Sequence, residues 1–197
     1  MSLYKLQKEQ IRNSIIEKTI LLFKEKGYDN VSVEEITREV GIAKGTFYNF
    51  FPSKKEILSI WSNKQFQQLK IEDLICPNKM IEENLYHLTD TVYQMIREER
   101  DMFYYFLKEM IYSGLNELND NNFDFAAILK AVIMNSKDHL SIDATNIDIE
   151  VNIINSALFY EILKWFQADK PLNELGHHLK EIVKFCLYGL YHKGGNI

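Results

Sequence analysis

The chain has 197 residues, of which 46% are hydrophobic and 26% are charged. This composition supports a folded core and excludes an intrinsically disordered chain, and two cysteines, Cys76 and Cys186, are too few for a disulfide framework. The net charge of −5, taken as a mean, argues against a nucleic-acid partner. Only eight glycines and three prolines interrupt the chain, and no apolar run reaches the roughly 20 residues of a membrane span. We therefore expect an all-α, cytoplasmic protein.

Charge is distributed unevenly between two parts of the chain. Residues 1–55 carry ten Lys and Arg against seven Asp and Glu, a net charge of +3, whereas residues 56–197 carry 13 against 21, a net charge of −8. A basic segment joined to an acidic remainder is typical of a nucleic-acid-binding head attached to a second domain. We therefore predict two domains, residues 1–55 and 56–197.

The basic segment contains two helices with clear end signals. A first helix is predicted over residues 8–26, where apolar residues recur on one face, and Gly27 follows in the position of a left-handed C-cap. A second helix starts after Ser32, because Ser32 and Glu35 form a capping box, and it ends at Gly41.

A third, short helix is predicted from Lys44 to about Phe50, after the three-residue corner 41–43. The proline at position 52 breaks the chain before a fourth helix that extends to about Lys70. Two short helices joined by a glycine corner, behind a longer supporting helix, predict a helix-turn-helix.

The residues around this corner carry a family resemblance. The stretch Ser32–Leu58, SVEEITREVGIAKGTFYNFFPSKKEIL, resembles the DNA-binding signature of the tetracycline-repressor (TetR) family. The match is specific because the glycine corner, Gly45, Tyr48 and Lys54 all hold one register. It covers about residues 8–60. The resemblance implies an all-helical bacterial repressor with an N-terminal three-helix helix-turn-helix DNA-binding domain and a C-terminal helical effector and dimerisation domain.

Several residues of this motif suit contact with DNA. A recognition helix exposes small or polar groups at its N-terminal end, where base edges are reached, and Lys44, Gly45 and Thr46 meet that need. Tyr48 and Asn49 can donate to phosphate oxygens, which sets the register without reading sequence. The predicted DNA-binding residues are Ser32, Lys44, Gly45, Thr46, Tyr48, Asn49, Lys54 and Lys55.

Three of these residues have a second interpretation. Lys54 and Lys55 lie in the first turn of a predicted helix, where the helix dipole disfavours cations. A phosphate docked at that helix terminus would reverse the sign of the effect, and solvated surface lysines are the alternative. Ser32 caps its own helix, and the family resemblance adds a phosphate contact.

Two residues depart from the family pattern. Ala43 stands where the family usually has Ser or Thr, so the recognition helix lacks a side-chain N-cap worth roughly 1 kcal/mol. Phe50 stands where a histidine commonly donates to phosphate. These departures leave open an alternative function, a helical small-molecule-binding or protein-interaction module that has lost operator binding.

The acidic remainder is also predicted to be helical. Helices are expected over residues 81–96, 101–114, 123–138, 147–168 and 173–192, with a polar loop at 116–122. The resemblance implies that the last two helices pair with those of a second copy in a homodimer on a palindromic operator, and burial within the chain is the alternative. The candidate interface residues are Val151, Leu158, Ile162, Leu179, Val183, Cys186 and Leu190.

Aromatic side chains are abundant in this part of the chain. The resemblance implies an apolar cavity for a lipophilic small-molecule effector of unknown identity. The candidate lining residues are Phe103, Phe106, Met110, Tyr112, Phe159 and Tyr160, for each of which an ordinary core position is the alternative.

The sequence offers little support for an enzyme or a metal site. His177, His178 and Glu181 are ligand types on one helix, but adjacent helical side chains point about 100° apart and no third ligand is indicated. No phosphate loop, nucleophile elbow or zinc-protease motif is present. We therefore predict no catalytic residue, metal or cofactor. The family resemblance implies a ligand-responsive transcriptional repressor.

Overall fold

A computed structural model describes residues 3–113, 125–138, 146–168 and 170–191, and these residues form helices and no strand, which confirms the all-α fold class. The helices are α1 Leu3–Lys26, α2 Val33–Val40, α3 Lys44–Tyr48, α4 Lys54–Gln67, α5 Ile71–Leu74, α6 Ile81–Glu98, α7 Arg100–Ser113, α8 Phe125–Met134, α9 Ile147–Gln167 and α10 Leu175–Tyr191. One-turn 3-10 helices at Tyr28–Asn30 and Leu172–Glu174 precede α2 and α10. None of the described helices combines the length and apolar character needed to cross a membrane.

The ends of α1 and α2 test the predicted capping signals. Ser32 Oγ accepts the Glu35 N–H at 3.1 Å, and Gly41 ends α2 with a left-handed φ of 82°, as predicted. Gly27 differs from its prediction: its φ is 81°, but its ψ of 143° lies outside the left-handed helical region. A Cβ at Gly27 would also lie 2.9 Å from Tyr105 Oη, so both backbone and packing require glycine there.

The first helix is longer than its apolar pattern predicts. It begins at Leu3, more than one turn before residue 8, and residues 3–13 are all exposed. Ile11 belongs to the apolar face by periodicity but is 37% exposed, whereas Ile15 is fully buried. The start of α1 therefore extends beyond the part of the helix that the core covers.

The helices form two compact units. The first contains the described residues of Met1–Phe66 and Glu99–Asn122, and the second contains those of Gln67–Glu98 and Phe123–Ile197. Helix α7 thus belongs with the N-terminal helices although more than 30 residues separate it from α4. The predicted boundary after residue 55 concerns the division of function and stays a prediction.

The first unit is held together by aromatic packing and by ion pairs that α7 and the residue before it make with the 3-10 turn and α1. Phe23 packs edge-on against Tyr28, whose ring also contacts Tyr105 of α7 with centroids 5.6 Å apart. Lys108 Nζ of α7 lies 2.8 Å from Asp29 Oδ2 of the 3-10 turn. Glu99, the residue before α7, forms an ion pair with Lys24 of α1. In α4, Trp61 packs edge-on against Phe103 of α7. These contacts fix the turn from which α2 starts.

The second unit is a packed helical layer in which α10 contacts α6 and α9, and α8 contacts α6 and α9. The backbone of α10 approaches α6 closely, because a Cβ at Gly176 would lie 3.3 Å from the Tyr93 ring. Asn84 is fully buried and donates to Ser136 Oγ at 2.8 Å and to the Cys76 carbonyl at 3.1 Å. A buried amide with its donors satisfied ties the loop before α6 to the end of α8.

Candidate nucleic-acid interface

The recognition helix α3 is shorter than predicted and is anchored by aromatic side chains. It ends at Tyr48 rather than Phe50. Phe47 and Phe51 are fully buried, with ring centroids 5.9 Å apart, and Phe50 is half-buried. Ala43 occupies the N-cap and makes no side-chain hydrogen bond, as expected from the sequence. Inward packing therefore holds α3 without help from a cap.

The remaining side chains of α3 and the residue after it point away from the core. Lys44, Tyr48 and Asn49 are exposed, and Thr46 is half-buried. Lys44 forms an ion pair with Glu34 of α2, and this hydrogen bond raises the pKa of the Lys44 ammonium. An exposed pair of this kind contributes little to stability, so a stronger anion can displace Glu34 at small cost.

Gly45 is exposed, and no atom lies within 4 Å of the position that a Cβ would occupy. It has no positive φ, since Gly27 and Gly41 are the only described glycines that do. Neither backbone conformation nor packing within the described chain therefore explains a glycine at the second position of a helix. Glycine costs such a helix about 0.5–1 kcal/mol relative to alanine.

Lys54 has partners inside the protein. Its Nζ donates to the carbonyl oxygens of Tyr28 at 2.6 Å and of Val31 at 2.8 Å, and it lies 4.3 Å from the centroid of the Tyr28 ring. Burial lowers the pKa of the Lys54 ammonium, with Asp29 and Glu109 acting in the opposite direction. Lys54 thus joins the start of α4 to the turn before α2, and one of its three N–H donors is left for a phosphate.

Ser32 and Lys55, which are also predicted to contact DNA, lie at the starts of helices. Ser32 is exposed while capping α2, so its hydroxyl proton can still be donated to a phosphate. Lys55 is half-buried. The fold therefore brings Ser32, the start of α3 and the start of α4 into one compact unit.

Two cations that were not among the residues predicted to contact DNA lie near the end of α3. Lys8 Nζ lies 5.9 Å from the Phe50 ring centroid, and Arg12 Cζ lies 5.3 Å from that of Phe51. Both cations are exposed. Lys8 and Arg12 are four residues apart, so the sequence alone places them on one face of a helix. Only the folded chain brings them to these rings.

Six of the seven predicted dimer-interface residues lie in the core of the second unit. These six are at most 9% exposed within the single chain, namely Val151, Leu158, Ile162, Leu179, Val183 and Cys186, while the Leu190 side chain lies outside the described residues. Their side chains therefore have almost no surface left for a partner in this conformation. Large apolar side chains of α9 and α10 are exposed instead, namely Ile149, Ile153, Tyr160, Phe185 and Tyr188.

The candidate effector-pocket residues fall into both units. Phe103 and Phe106 are buried in the first unit, where each packs against Phe66, and Met110 is half-buried. Phe159 is half-buried in the second unit, and Tyr160 is 64% exposed. The Tyr112 side chain lies outside the described residues. The structure thus gives these residues different environments, and their role in a pocket stays a prediction.

Metal-ligand types do not assemble in the described part of the chain, where no group of three or more His, Cys, Asp or Glu side chains could hold a metal ion. His178 Nδ1 lies 3.5 Å from Glu161 Oε1, and its ring packs edge-on against Trp165. His178 therefore serves as a packing and pairing residue between α9 and α10.

The N-terminal segment is similar to known regulators. Residues 15–59 match the family model for bacterial regulatory proteins of the tetR family. The chain is 52% identical over 44 residues to the HTH-type transcriptional regulator YuxN of Bacillus subtilis, an alignment that spans 22% of this chain and 15% of YuxN. It is 43% identical over 47 residues to IcaR of Staphylococcus aureus, a negative regulator of the biofilm operon icaADBC, across 24% of this chain and 25% of IcaR. The chain thus covers a quarter or less of the length of these relatives.

Similarity of fold extends over nearly the whole chain. The FadR repressor of Thermus thermophilus, a TetR-family protein solved in complex with lauroyl-CoA, superposes with a TM-score of 0.79. The superposition covers 94% of this chain and 98% of FadR at 15% sequence identity. The N-terminal match and the shared helical fold confirm the resemblance seen in the sequence. Residues 15–59 of this chain thus match the tetR family of bacterial regulatory proteins, whose members are transcription regulators, and the chain shares the helical fold of solved TetR-family proteins.

Proposed function

We propose that this protein is a transcriptional repressor that binds a palindromic operator as a homodimer and responds to a lipophilic effector. The observation that carries the DNA-binding part is Gly45. A glycine that neither the backbone nor internal packing requires is explained if another molecule approaches the helix closely at that point.

The surroundings of Gly45 fit a DNA duplex as that molecule. Lys44 offers an ammonium, Thr46 a hydroxyl and a methyl group, and Tyr48 and Asn49 further donors. Base edges in the major groove present acceptors and thymine methyl groups, and phosphates accept from all of these donors. We propose that Lys44, Gly45 and Thr46 face the bases, and that Ser32, Tyr48, Asn49, Lys54 and Lys55 contact or position the phosphate backbone.

Substitution Gly45→Ala tests this role because it separates stability from binding. Alanine meets no neighbour and is the better helix former, so the variant should unfold at the wild-type temperature or above it. Its affinity for the intergenic DNA upstream of its own gene should fall on the order of tenfold or more, the cost of losing one base-pair contact. Fluorescence anisotropy and thermal melts measure the two effects. Wild-type affinity in Gly45→Ala would contradict the proposed role of Gly45. Equal weak binding of wild type to every duplex at all salt concentrations would favour a module without operator binding.

The proposed dimer uses the exposed apolar face of α9 and α10 rather than the buried stripe predicted first. Phe185 is 80% exposed, more than any other large apolar side chain described. An exposed apolar surface of this kind marks an interaction site, and a two-fold partner would present the same surface. Phe185→Glu should therefore shift sedimentation from dimer to monomer, and Lys184→Glu, at the exposed neighbouring position, should not. A wild-type monomer would contradict this part of the proposal.

The proposed effector is lipophilic, and lauroyl-CoA is a suitable probe because a fold relative is a lauroyl-CoA complex. Phe103 and Phe106 are buried apolar side chains of the first unit, Phe103 against Trp61, and an effector would have to separate this packing to reach them. Lauroyl-CoA should raise the melting temperature and change the operator affinity, whereas free coenzyme A should do neither. A null result with acyl chains of several lengths would remove this class of effector and leave the DNA-binding proposal standing.

A further inference from the structure

The first three turns of α1 carry cations that the rest of the first unit does not neutralise. Lys24, Lys26 and Lys44 form ion pairs with Glu99, Glu35 and Glu34, respectively. Among the described residues, Lys8 and Arg12 have no such carboxylate partner.

The charge balance of this segment is also positive. Residues 3–13 contain Lys5, Lys8 and Arg12 against one carboxylate, Glu9, and all eleven residues are exposed. At 1.5 Å per residue the segment is about 16 Å long. An exposed helix segment with uncompensated positive charge attracts a polyanion.

Lys8 and Arg12 lie beside α3, the helix proposed to contact the DNA bases. Phe50 and Phe51, over which Lys8 and Arg12 lie, follow directly after Asn49 at the end of α3. Residues four apart are neighbours on one helix face, about 6 Å apart along the axis, so both head groups face the same side. Whatever duplex α3 approaches is therefore also close to Lys8 and Arg12.

The aromatic rings beneath the cations restrict their side chains before DNA binds. A cation over an aromatic face is attracted by the electrons of the ring, even at exposed sites. Side chains that are already ordered lose less conformational entropy when they meet a partner. This arrangement suits phosphate contact, since it keeps the charges solvated and gives them a defined position.

We propose that Lys8 and Arg12 form a second phosphate-binding element, which contacts the DNA backbone beside the half-site read by α3. The inference rests on the DNA binding proposed above and adds residues that lie outside the tetR-family match at residues 15–59. The contacts fix position and add affinity for any sequence, because phosphates carry no base information.

The salt dependence of binding tests the proposal. Each phosphate contact contributes about 0.9 to the slope of log K against log salt, so K8A/R12A should be shallower than wild type by up to about 1.8. Between 50 and 200 mM salt, wild type should lose about tenfold more affinity than the variant, on operator and random duplexes alike. Both side chains are exposed, so the variant should melt near the wild-type temperature.

Two matched controls separate contact from bulk charge. K8R/R12K keeps both charges and should keep the wild-type slope. K137A/K184A removes two exposed positive charges from the second unit and should also leave the slope unchanged. An equal fall in slope for K8A/R12A and K137A/K184A would overturn the proposal, because net charge alone would then explain it.

Two further outcomes would also overturn it. An unchanged slope in K8A/R12A, with binding lost in Gly45→Ala, removes this element and leaves the proposed function intact. Leu3, Tyr4 and Leu6 are exposed near the same cations, so a membrane surface is the competing partner. Sedimentation of wild type but not K8A/R12A with phosphatidylserine vesicles, together with an unchanged DNA slope, would assign the segment to lipid. A wild type that binds no duplex at any salt would end both proposals.

Discussion

Lys44 and Lys54 are both the first residue of a short or medium helix in the same motif, yet the protein uses them in opposite ways. Lys44 is exposed, and its hydrogen bond to Glu34 raises the pKa of its ammonium group. Lys54 is half-buried, donates to two backbone carbonyls, and has its ammonium pKa lowered by burial. A single motif therefore contains side chains that are exposed and side chains that hold the motif in shape.

The largest expected effect comes from neighbouring aromatic residues of α3. Phe47 is fully buried and Tyr48 is 48% exposed. Phe47→Ala should lower the free energy of unfolding by about 3–5 kcal/mol, because it opens a cavity in the core. Tyr48→Ala should change stability far less while weakening DNA binding. Urea denaturation of both variants measures the contrast, and comparable losses of stability would break the division into inward and outward residues.

Gly27 tests the close approach of α7 to the end of α1. Gly27→Ala should cost about 1–3 kcal/mol, since φ is positive and the new Cβ would lie 2.9 Å from Tyr105 Oη. Tyr105→Phe removes that oxygen, so Gly27→Ala should be less costly in the Tyr105→Phe background. Strictly additive effects in this double-mutant cycle would mean that Tyr105 does not contact Gly27 in solution.

The two lysines themselves should differ in stability by a smaller amount. Lys54→Ala leaves two carbonyl oxygens without a charged donor and should cost about 1–2 kcal/mol, whereas Lys44→Ala, at an exposed ion pair, should cost less than about 1 kcal/mol. The sequence preference of DNA binding sharpens the comparison: Lys44→Ala should relax it, while a pure positioning role for Lys54 predicts no change in preference. Equal stability losses would show that the carbonyl contacts contribute nothing.

The smallest effect concerns Glu35, which faces inward beside the outward-facing Glu34. The hydrogen bond from Lys26 holds the pKa of Glu35 below its usual value, with a smaller contribution from the Ser32 N–H. A lowered folded-state pKa stabilises the protein above the unfolded-state pKa of about 4.5, and this contribution disappears as the pH falls through the folded value. Wild type should therefore be more stable than Glu35→Gln at pH 7 and lose that advantage as the pH falls below about 4.5. A pH-independent difference in denaturant midpoints would assign the effect to packing.

Local signals predicted the N-terminal helices well because their causes lie within a few residues. The capping box of Ser32 and Glu35 and the left-handed Gly41 needed only neighbouring atoms, and both are as predicted. The ψ of Gly27 was misjudged, and the close approach of Tyr105, which is distant in sequence, could not be read from the residues around Gly27. The length of α1 was underestimated because periodicity detects only the part of a helix that a core covers.

The candidate interface shows where periodicity stops being informative. An apolar stripe predicts that a face is covered, but it does not say whether the same chain or a second copy covers it. Val183 and Cys186 proved to be core residues, while Phe185 between them is exposed. For α9, which is apolar on several faces, the sequence has no means of choosing among them.

Sequence alone was enough to establish an all-α chain, a basic head on an acidic remainder, and a helix-turn-helix with family-specific spacing, since composition, charge and capping are local or additive properties. Only the tertiary structure shows that α7 packs with the N-terminal helices. It also shows that Lys54 donates a hydrogen bond to the turn before α2, and that Lys8 and Arg12 lie over the aromatic residues after α3. These facts depend on contacts between residues far apart in the chain, and such contacts exist only once the core has formed. The net charge of −5 argued against DNA only as long as the positions of the charges were unknown.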